Sequence, residues 1–354
     1  MRENLPTITG IGSVTPFGPL AGLIPPSTPQ PVATPWATGE LRRAFFVEPF
    51  RPASVVPGLK TRRLDRLSTW ALVASSLAIQ DAGIDLDTVD KSRVAVVFAT
   101  GFGCVELTES FYQSVATNGW AGADPITFPE TLTNAPAAHV ALVHGLRGPN
   151  ITVDSKNFAG ECALIQAASL IRHGQADLAI VLAGDTLTKA IYGWYEAAEL
   201  LSPACYGLEA IPEITDFVPS TGFVPSEGMA AFVLESAGSR ETKSYAHLHS
   251  GRWATGGDPA AAVRHMFSGA DPKLILCAGN GAPCAPSSTE RFAREITSCS
   301  ASIIPPQAVA SGLAETGALF HLILALSRRP KSGQTLLLST SGNSGFAAIH
   351  LELP

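Results

Sequence analysis

The chain has 354 residues, 24 Lys and Arg against 30 Asp and Glu, a formal net charge of −6 and a pI near 5.8. That balance argues against nucleic acid as a partner, which asks for a basic face, and no apolar run reaches the ~18–20 residues of a membrane span. The polar start MRENLPT shows no signal pattern and the six cysteines form no framework, so a reducing, cytoplasmic setting is expected.

In chain order, PTITGIGSVTPFG runs straight into a strand and turn. Ten prolines between Pro16 and Pro57 preclude regular helix for most of that stretch, which reads as an extended surface excursion. VELTESFYQSVATNG (Val105–Gly119) reads as a helix ended by Asn118-Gly119. Spacings of three and four put Thr108, Phe111, Tyr112 and Val115 near one face, with Glu109, Gln113 and Ser114 pointing elsewhere. His139 and His144 fall on a strand-like run ahead of the segment ITVDSKNFAGECALIQAASLIRHGQAD (Ile151–Asp177). That segment has the pattern of a strand, a sharp elbow and a buried apolar helix ending in a glycine. LAIVLAG and KLILCAG are continuous apolar runs of the kind buried on both faces of a sheet. The runs ITVDSKN…CALIQAASLIRHG and PQAVASG…TGALFHLILALSRR each join an elbow to an apolar helix rich in small residues, which are traces of an internal duplication.

These blocks, with others, resemble the elongating β-ketoacyl synthases in family order. PTITGIGSVTPFG is similar to that family's first strand and turn, and KTRRLDRLSTWALVASSLAIQDAGID (Lys60–Asp85) to its first long helix. TGFGCVE (Thr100–Glu106) resembles its glycine-rich turn, HVALVHGLRGPNITV (His139–Val153) its approach to the elbow, and Ile151–Asp177 the stretch carrying its nucleophilic cysteine. GFVPSEGMAAFVLES (Gly222–Ser236) resembles the close of its N-terminal half, and SGNSGFAAIHLEL (Ser341–Leu353) its gating loop and last strand. The resemblance implies an α/β fold, a thiolase-like five-layered αβαβα sandwich of two pseudo-repeated halves. Those halves would be residues 1–238, with the Pro-rich excursion at 16–57, and a trimmed 239–354, in one compact body. The segment Lys243–Lys273 is shorter than the family's usual linker.

The catalytic positions of that family are replaced. Counting back from Gly174 and Asp177, with Gly160 in step, the nucleophile position is Asn157, and a carboxamide nitrogen does not accept acyl groups as an activated thiolate does. The first histidine motif corresponds to CAGNGAPCAPSSTE, anchored on Glu290, with Gly279 in the histidine's place. The second corresponds to PQAVASGLAETG, anchored on Gly317, with Ser311 for the histidine and Pro306 for the lysine. The gating phenylalanine corresponds to Asn343. In the family the histidines stabilise the enolate and oxyanion of a decarboxylating malonyl thioester, which Gly and Ser do not do.

Other residues offer no substitute chemistry. Cys162 lies inside the apolar run CALIQAASLI, where a free cysteine behaves as a small hydrophobe. Cys104, Cys205, Cys277, Cys284 and Cys299 lack metal spacing, and core packing or a satisfied hydrogen bond suits His139 and His144. Ser155 beside Asp154 is in no G-x-S-x-G pattern, so helix capping is its expected role. ETLTNAP and KTRR read as solvated faces.

Within the resembled family, a ketosynthase-like protein without its cysteine is the chain length factor of type II polyketide and aryl polyene systems. The implied function is a non-catalytic subunit that pairs with an active ketosynthase and shapes the tunnel for the growing polyketide or polyene chain. Acyl carrier protein would be met through the complex, with no cofactor and no metal. The best-known factors carry Gln at the elbow; Asn157 is a shorter amide. By the same resemblance Thr108, Phe111, Tyr112 and Val115 border the acyl tunnel, while Thr152 and Val153 lie near the two-fold axis. A charged share of 15 %, against about 25 % typically, fits a large buried subunit interface. A malonyl-carrier decarboxylase and a homodimeric scaffold or acyl-chain binder are the alternatives.

Overall fold

The structure is a computed structural model that describes residues 5–24, 32–36, 42–61, 64–156, 158–206, 224–236, 243–256, 259–267, 272–278, 302–304, 317–328, 333–340 and 345–354. Its N-terminal strands are β1 (Pro6–Thr15), β2 (Gly18–Ala21), β3 (Val32–Ala33), β4 (Arg43–Ala44), β5 (Val94–Thr100), β6 (Asn150–Asp154), β7 (Leu178–Asp185) and β8 (Gly228–Ser236). The strands that follow are β9 (Ala246–Ala254), β10 (Leu274–Ala278), β11 (Ser302–Ile304), β12 (Gly333–Thr340) and β13 (Phe346–Leu353). The helices are α1 (Pro52–Val55), α2 (Arg66–Ala82), α3 (Val105–Asn118), α4 (Ala135–His144), α5 (Ala159–Arg172), α6 (Lys189–Ala197), α7 (Pro259–Met266) and α8 (Gly317–Ser327).

The strand path β11-β10-β12-β13-β9-β1-β8-β7-β5-β6 has the same pattern from either end. In each half two antiparallel pairings follow the central strand (β1-β8-β7 and β9-β13-β12), and two parallel ones complete it (β7-β5-β6 and β12-β10-β11). The halves meet where Thr7 and Ile8 of β1 pair with His247 and Ala246 of β9. Each outer parallel strand precedes an apolar helix, α5 after β6 and α8 after β11. The duplication read from the two elbow-and-helix runs is thus repeated in strand order.

Helix α5 packs on β5, β6, β7 and β8 and also on β9, β13 and α8. Helices α2 and α4 cover the outer face of the first half, and α7 that of the second. The layers are therefore α2/α4, sheet, α5/α8, sheet and α7, five in all. Alternation along β5 and β7 sorts the side chains: Val94, Val96, Phe98, Leu178, Ile180 and Leu182 face α2 and α4, while Ala95, Val97, Ala99, Ala179, Val181 and Ala183 face the central helices. Strands buried on both faces produce such unbroken apolar runs, and the four alanines lie on the side that faces the central helices.

Local signals set the helix ends. Helix α2 starts at Arg66 because the Asp65 carboxylate accepts from the Ser68 amide, and it stops at Gly83 in the left-handed region (φ 64°). It is thus shorter at both ends than the block Lys60–Asp85. In the Pro-rich excursion β2 folds back on β1, β3 pairs with β4, and α1 is one turn with proline in its first positions. One expectation is overturned: His139 and His144 lie on helix α4, not on a strand. Pro136 in its first turn and Gly145 as its left-handed cap (φ 68°) make ten residues helical, so within His139–Val153 the strand begins only at Asn150. No helix of the described residues is long and apolar enough to cross a membrane.

Close approach between α2 and β1 explains Gly12, where an added Cβ would lie 2.1 Å from the Ala74 carbonyl oxygen and 2.5 Å from the Ala78 nitrogen. Both neighbours are backbone and cannot swing away. Gly12→Ala is expected to lower unfolding free energy by about 1–3 kcal/mol, read as a shifted urea midpoint at constant slope.

Candidate functional site

Asn157, Gly279, Ser311, Pro306 and Asn343 all lie outside the described residues. What surrounds the elbow is described. Strand β6 ends at Asp154, the Ser155 amide donates to the Thr100 carbonyl (3.2 Å), and α5 begins after Phe158, which has φ 58°. A bulky residue in the left-handed region costs about 1–2 kcal/mol; here the Phe158 side chain is buried and the chain must reverse between a strand and a helix packed directly above it. Ser155 is not the N-cap of α5; that position is Phe158, which makes no side-chain cap bond. The turn at the elbow sets the serine three residues too early for that role.

The glycine-rich turn Gly101–Gly103 is held by one buried carboxylate. Asp185, at the end of β7, accepts from the Thr100 hydroxyl (2.5 Å), the Gly101 amide (3.0 Å) and the Phe102 amide (2.9 Å). Burial pushes its pKa up to about 6, against the pull of these donors and of Lys156. The Lys156 ammonium donates to the Gly101 carbonyl and lies 3.9 Å from the centre of the Phe102 ring. Phe102 in turn meets Trp194 and Tyr195 edge-on. The ends of β5, β6 and β7 are thereby tied together.

One helical turn past position 157, Glu161 is 2 % exposed and accepts a hydrogen bond from Ser339 near the end of β12. This joins the elbow helix of the first half to the strand that precedes the gating segment of the second. Burial raises its pKa to about 7, opposed by Ser339. Sequence reasoning missed Glu161 and Asp185, although a carboxylate set in or beside a doubly buried apolar run is itself a signal that a partner must exist.

Cys284 and Cys299 lie outside the described residues, and Cys104, Cys162 and Cys205 are held as neutral thiols. Burial pushes Cys162 and Cys205 up to about 12 and Cys104 higher still. Cys162 is half-buried rather than fully enclosed. His139 pairs with Glu130 (2.7 Å), so Glu130 is not simply solvated, and His144 meets the Ser75 hydroxyl (3.3 Å). Burial, aided by Lys91, lowers the pKa of His144 to about 4. Among the described residues no cluster could hold a metal ion.

The proposed tunnel residues share α3, which contains no fully buried residue. Thr108, Phe111 and Val115 are half-buried, as expected of one face, and Glu109 and Gln113 are exposed. Tyr112 departs from the expectation, being 64 % exposed, and Ser114 is half-buried in its stead. A residue at 112 lies one position round the helix from Phe111, about 100° away, and this is enough to turn it outward. Phe111 contacts both Tyr112 and Phe128. Thr152 and Val153 lie on β6, the end of the sheet path, half-buried; the Thr152 hydroxyl has no hydrogen-bond partner among the described residues. Of the ten exposed large hydrophobic residues described, seven (Tyr112, Trp120, Ile126, Phe128, Leu132, Leu142 and Val143) fall between 112 and 143, and α4 of that segment packs on β6.

Because the folded-state pKa of Glu161 is raised, its contribution to stability is full below the unfolded value near 4.5 and is lost as pH rises through about 7. Glu161→Gln, which can still accept from Ser339, is expected to be more stable than the parent at pH 8, by up to on the order of 3 kcal/mol, with the gain vanishing by pH 4. Denaturant unfolding across that range measures it. Cys162 and Cys205 are expected to alkylate with iodoacetamide at neutral pH about a hundredfold more slowly in the folded protein than in urea, read by peptide mapping.

Residues 38–239 match the family model "Beta-ketoacyl synthase, N-terminal domain". The chain is 29 % identical over 212 residues to 3-oxoacyl-[acyl-carrier-protein] synthase 2 of Vibrio cholerae serotype O1, covering 58 % of this chain and 51 % of that protein. It is 30 % identical over 187 residues to nodulation protein E of Rhizobium leguminosarum bv. trifolii, covering 52 % and 45 %. The chain thus spans about half the length of the curated relatives it matches. Among solved structures, the ishigamide ketosynthase/chain length factor superposes with a TM-score of 0.74 at 22 % identity, over 99 % of both chains. A beta-ketoacyl synthase from Burkholderia phymatum gives 0.77 at 16 % identity, over 99 % of this chain and 100 % of that one. The fold is the thiolase-like sandwich of the ketosynthases, and with the family model matching more than half of its length this chain belongs to the beta-ketoacyl synthase family.

Proposed function

We propose that this chain is a non-catalytic chain length factor. It pairs with an active ketosynthase as a cytoplasmic heterodimer, and with it encloses the growing polyketide or polyene chain delivered by acyl carrier protein. The observation that carries the reading is the β6 edge, unpaired among the described residues and bordered by the apolar segment 112–143. An edge strand with exposed apolar neighbours is a surface made to be covered. Its place beside an elbow whose nucleophile position is Asn157 supports a partner that supplies the chemistry. Gly279, Ser311 and Pro306, at the family's two histidines and lysine, and Asn343 at its gate point the same way.

Support also comes from what the similar structures are. One is a ketosynthase/chain length factor, and another is a type II polyketide acyl-carrier protein in complex with its ketosynthase bound to a hexaketide, similar with a TM-score of 0.74. On this reading the two halves, 1–238 and 239–354, act as one body. Thr108, Phe111, Tyr112 and Val115 border the tunnel, and Thr152 and Val153 lie in the subunit contact.

Co-expression with the ketosynthase from the same source is expected to yield a 1:1 complex by gel filtration, lost on Val153→Asp, which buries an unpaired charge. In the reconstituted pair Phe111→Ala should lengthen the products by one or more two-carbon units and Phe111→Trp should shorten them, read by mass spectrometry. A soluble homodimer that ignores the ketosynthase would overturn the reading in favour of a scaffold, and an acyl adduct on this chain would overturn its non-catalytic role.

A further inference from the structure

Helix α3 has fourteen residues and none is fully buried, so apolar packing alone does not set where it lies. Two polar struts reach it from the body. The first starts at Glu227, whose side chain is 0 % exposed. Its carboxylate accepts from the Val47 amide (3.2 Å), the Leu187 amide (3.0 Å) and the Arg66 guanidinium (2.8 Å). Arg66, the first residue of α2, stacks over Trp70 with 5.1 Å to the ring centre. Its Nε reaches both Glu106 oxygens, at 2.8 and 3.1 Å, and a second nitrogen also donates to Glu106. Glu106 lies in the first turn of α3, where a negative charge is also favoured by the helix dipole. The second strut is the Thr188 hydroxyl at the start of α6, which donates to Glu109 (2.7 Å) one turn along α3.

The geometry of the first strut is strict. Burial disfavours the Arg66 charge, but Glu106 and Glu227 more than offset this and raise its pKa. A guanidinium held by a buried carboxylate on one side presents its remaining donors in one fixed plane. Glu106, and therefore the first turn of α3, has a single favourable docking position. Phe111 follows Glu106 by five residues on the same rigid helix, so its ring is set by the same contact.

The geometry points to Arg66 as a positioning residue for chain length: through Glu106 it holds α3, and with it Phe111, at one distance from the body, and Glu109–Thr188 keeps the helix from pivoting. This rests on the proposed role of α3 as the tunnel wall. The role lies in the placing of a wall, not in contact with the chain, so loosening it should change which products form more than how much.

Glu106→Gln removes the charge but keeps the shape, and leaves Arg66 paired with Glu227. Glu109→Ala removes the second strut at an exposed position and serves if the first variant folds poorly. In the complex with the ketosynthase, amide exchange over 105–118 should speed up by about fivefold or more in either variant, and the product distribution should broaden towards longer chains. Unchanged exchange would overturn the positioning role. Faster exchange with unchanged products, while Phe111→Trp still shortens them, would overturn it and leave the tunnel reading intact. Unchanged products in Phe111→Trp as well would overturn both.

Discussion

Helices α5 and α8 lie between the two halves of one continuous sheet, and this constraint orders most of what surrounds them. Every residue of α8 from Gly317 to Leu326 is buried, and α5 touches strands of both halves. A helix with no face left for water needs neighbours small enough to admit it. The alanines at 95, 99, 179, 183 and 230 line the side of the first sheet that faces the central layer. At Gly251 of β9 an added Cβ would lie 2.4 Å from the Ile165 side chain of α5. A close-packed interior does not deform gradually, so helix α5 is held as firmly as the core.

Three buried carboxylates inside this sandwich each join segments distant in sequence. Asp185 gathers the ends of β5 and β7, Glu227 gathers Val47, Arg66 and Leu187, and Glu161 meets Ser339 across the two halves. A buried carboxylate left without partners is costly, so these pairings restrict the fold to one register as well as adding strength to it. They crowd around the C-terminal ends of the parallel strands, where α/β proteins place their chemistry.

Much of this was legible in the residues. The doubly buried strands, the elbow helix, the Gly119 stop of α3 and the internal repeat all follow from local pattern, because apolar period and turn chemistry act over a few residues. His139 and His144 were misplaced because a run with apolar residues on every side suits strand or helix alike, and the Pro136 and Gly145 boundaries decide between them. The network of Arg66, Glu106 and Glu227 was not legible, since its members lie 40 and 161 positions apart and no local rule pairs them. Tyr112 shows the finer limit: a face assigned by spacing is right for Thr108, Phe111 and Val115, and one residue further round the helix already looks into solvent.

An uncovered β6 edge also bears on how such a protein is kept in a cell. An edge with no strand beside it among the described residues, next to α4 with its exposed Leu142 and Val143, templates any strand that meets it, including that of another copy. Copies synthesised in excess of whatever covers the edge are therefore substrates for chaperones, proteases or aggregates. With the proposed partner on that edge, the abundance of the chain follows the supply of the partner, because the feature that permits assembly is also the one that marks the unassembled molecule for removal.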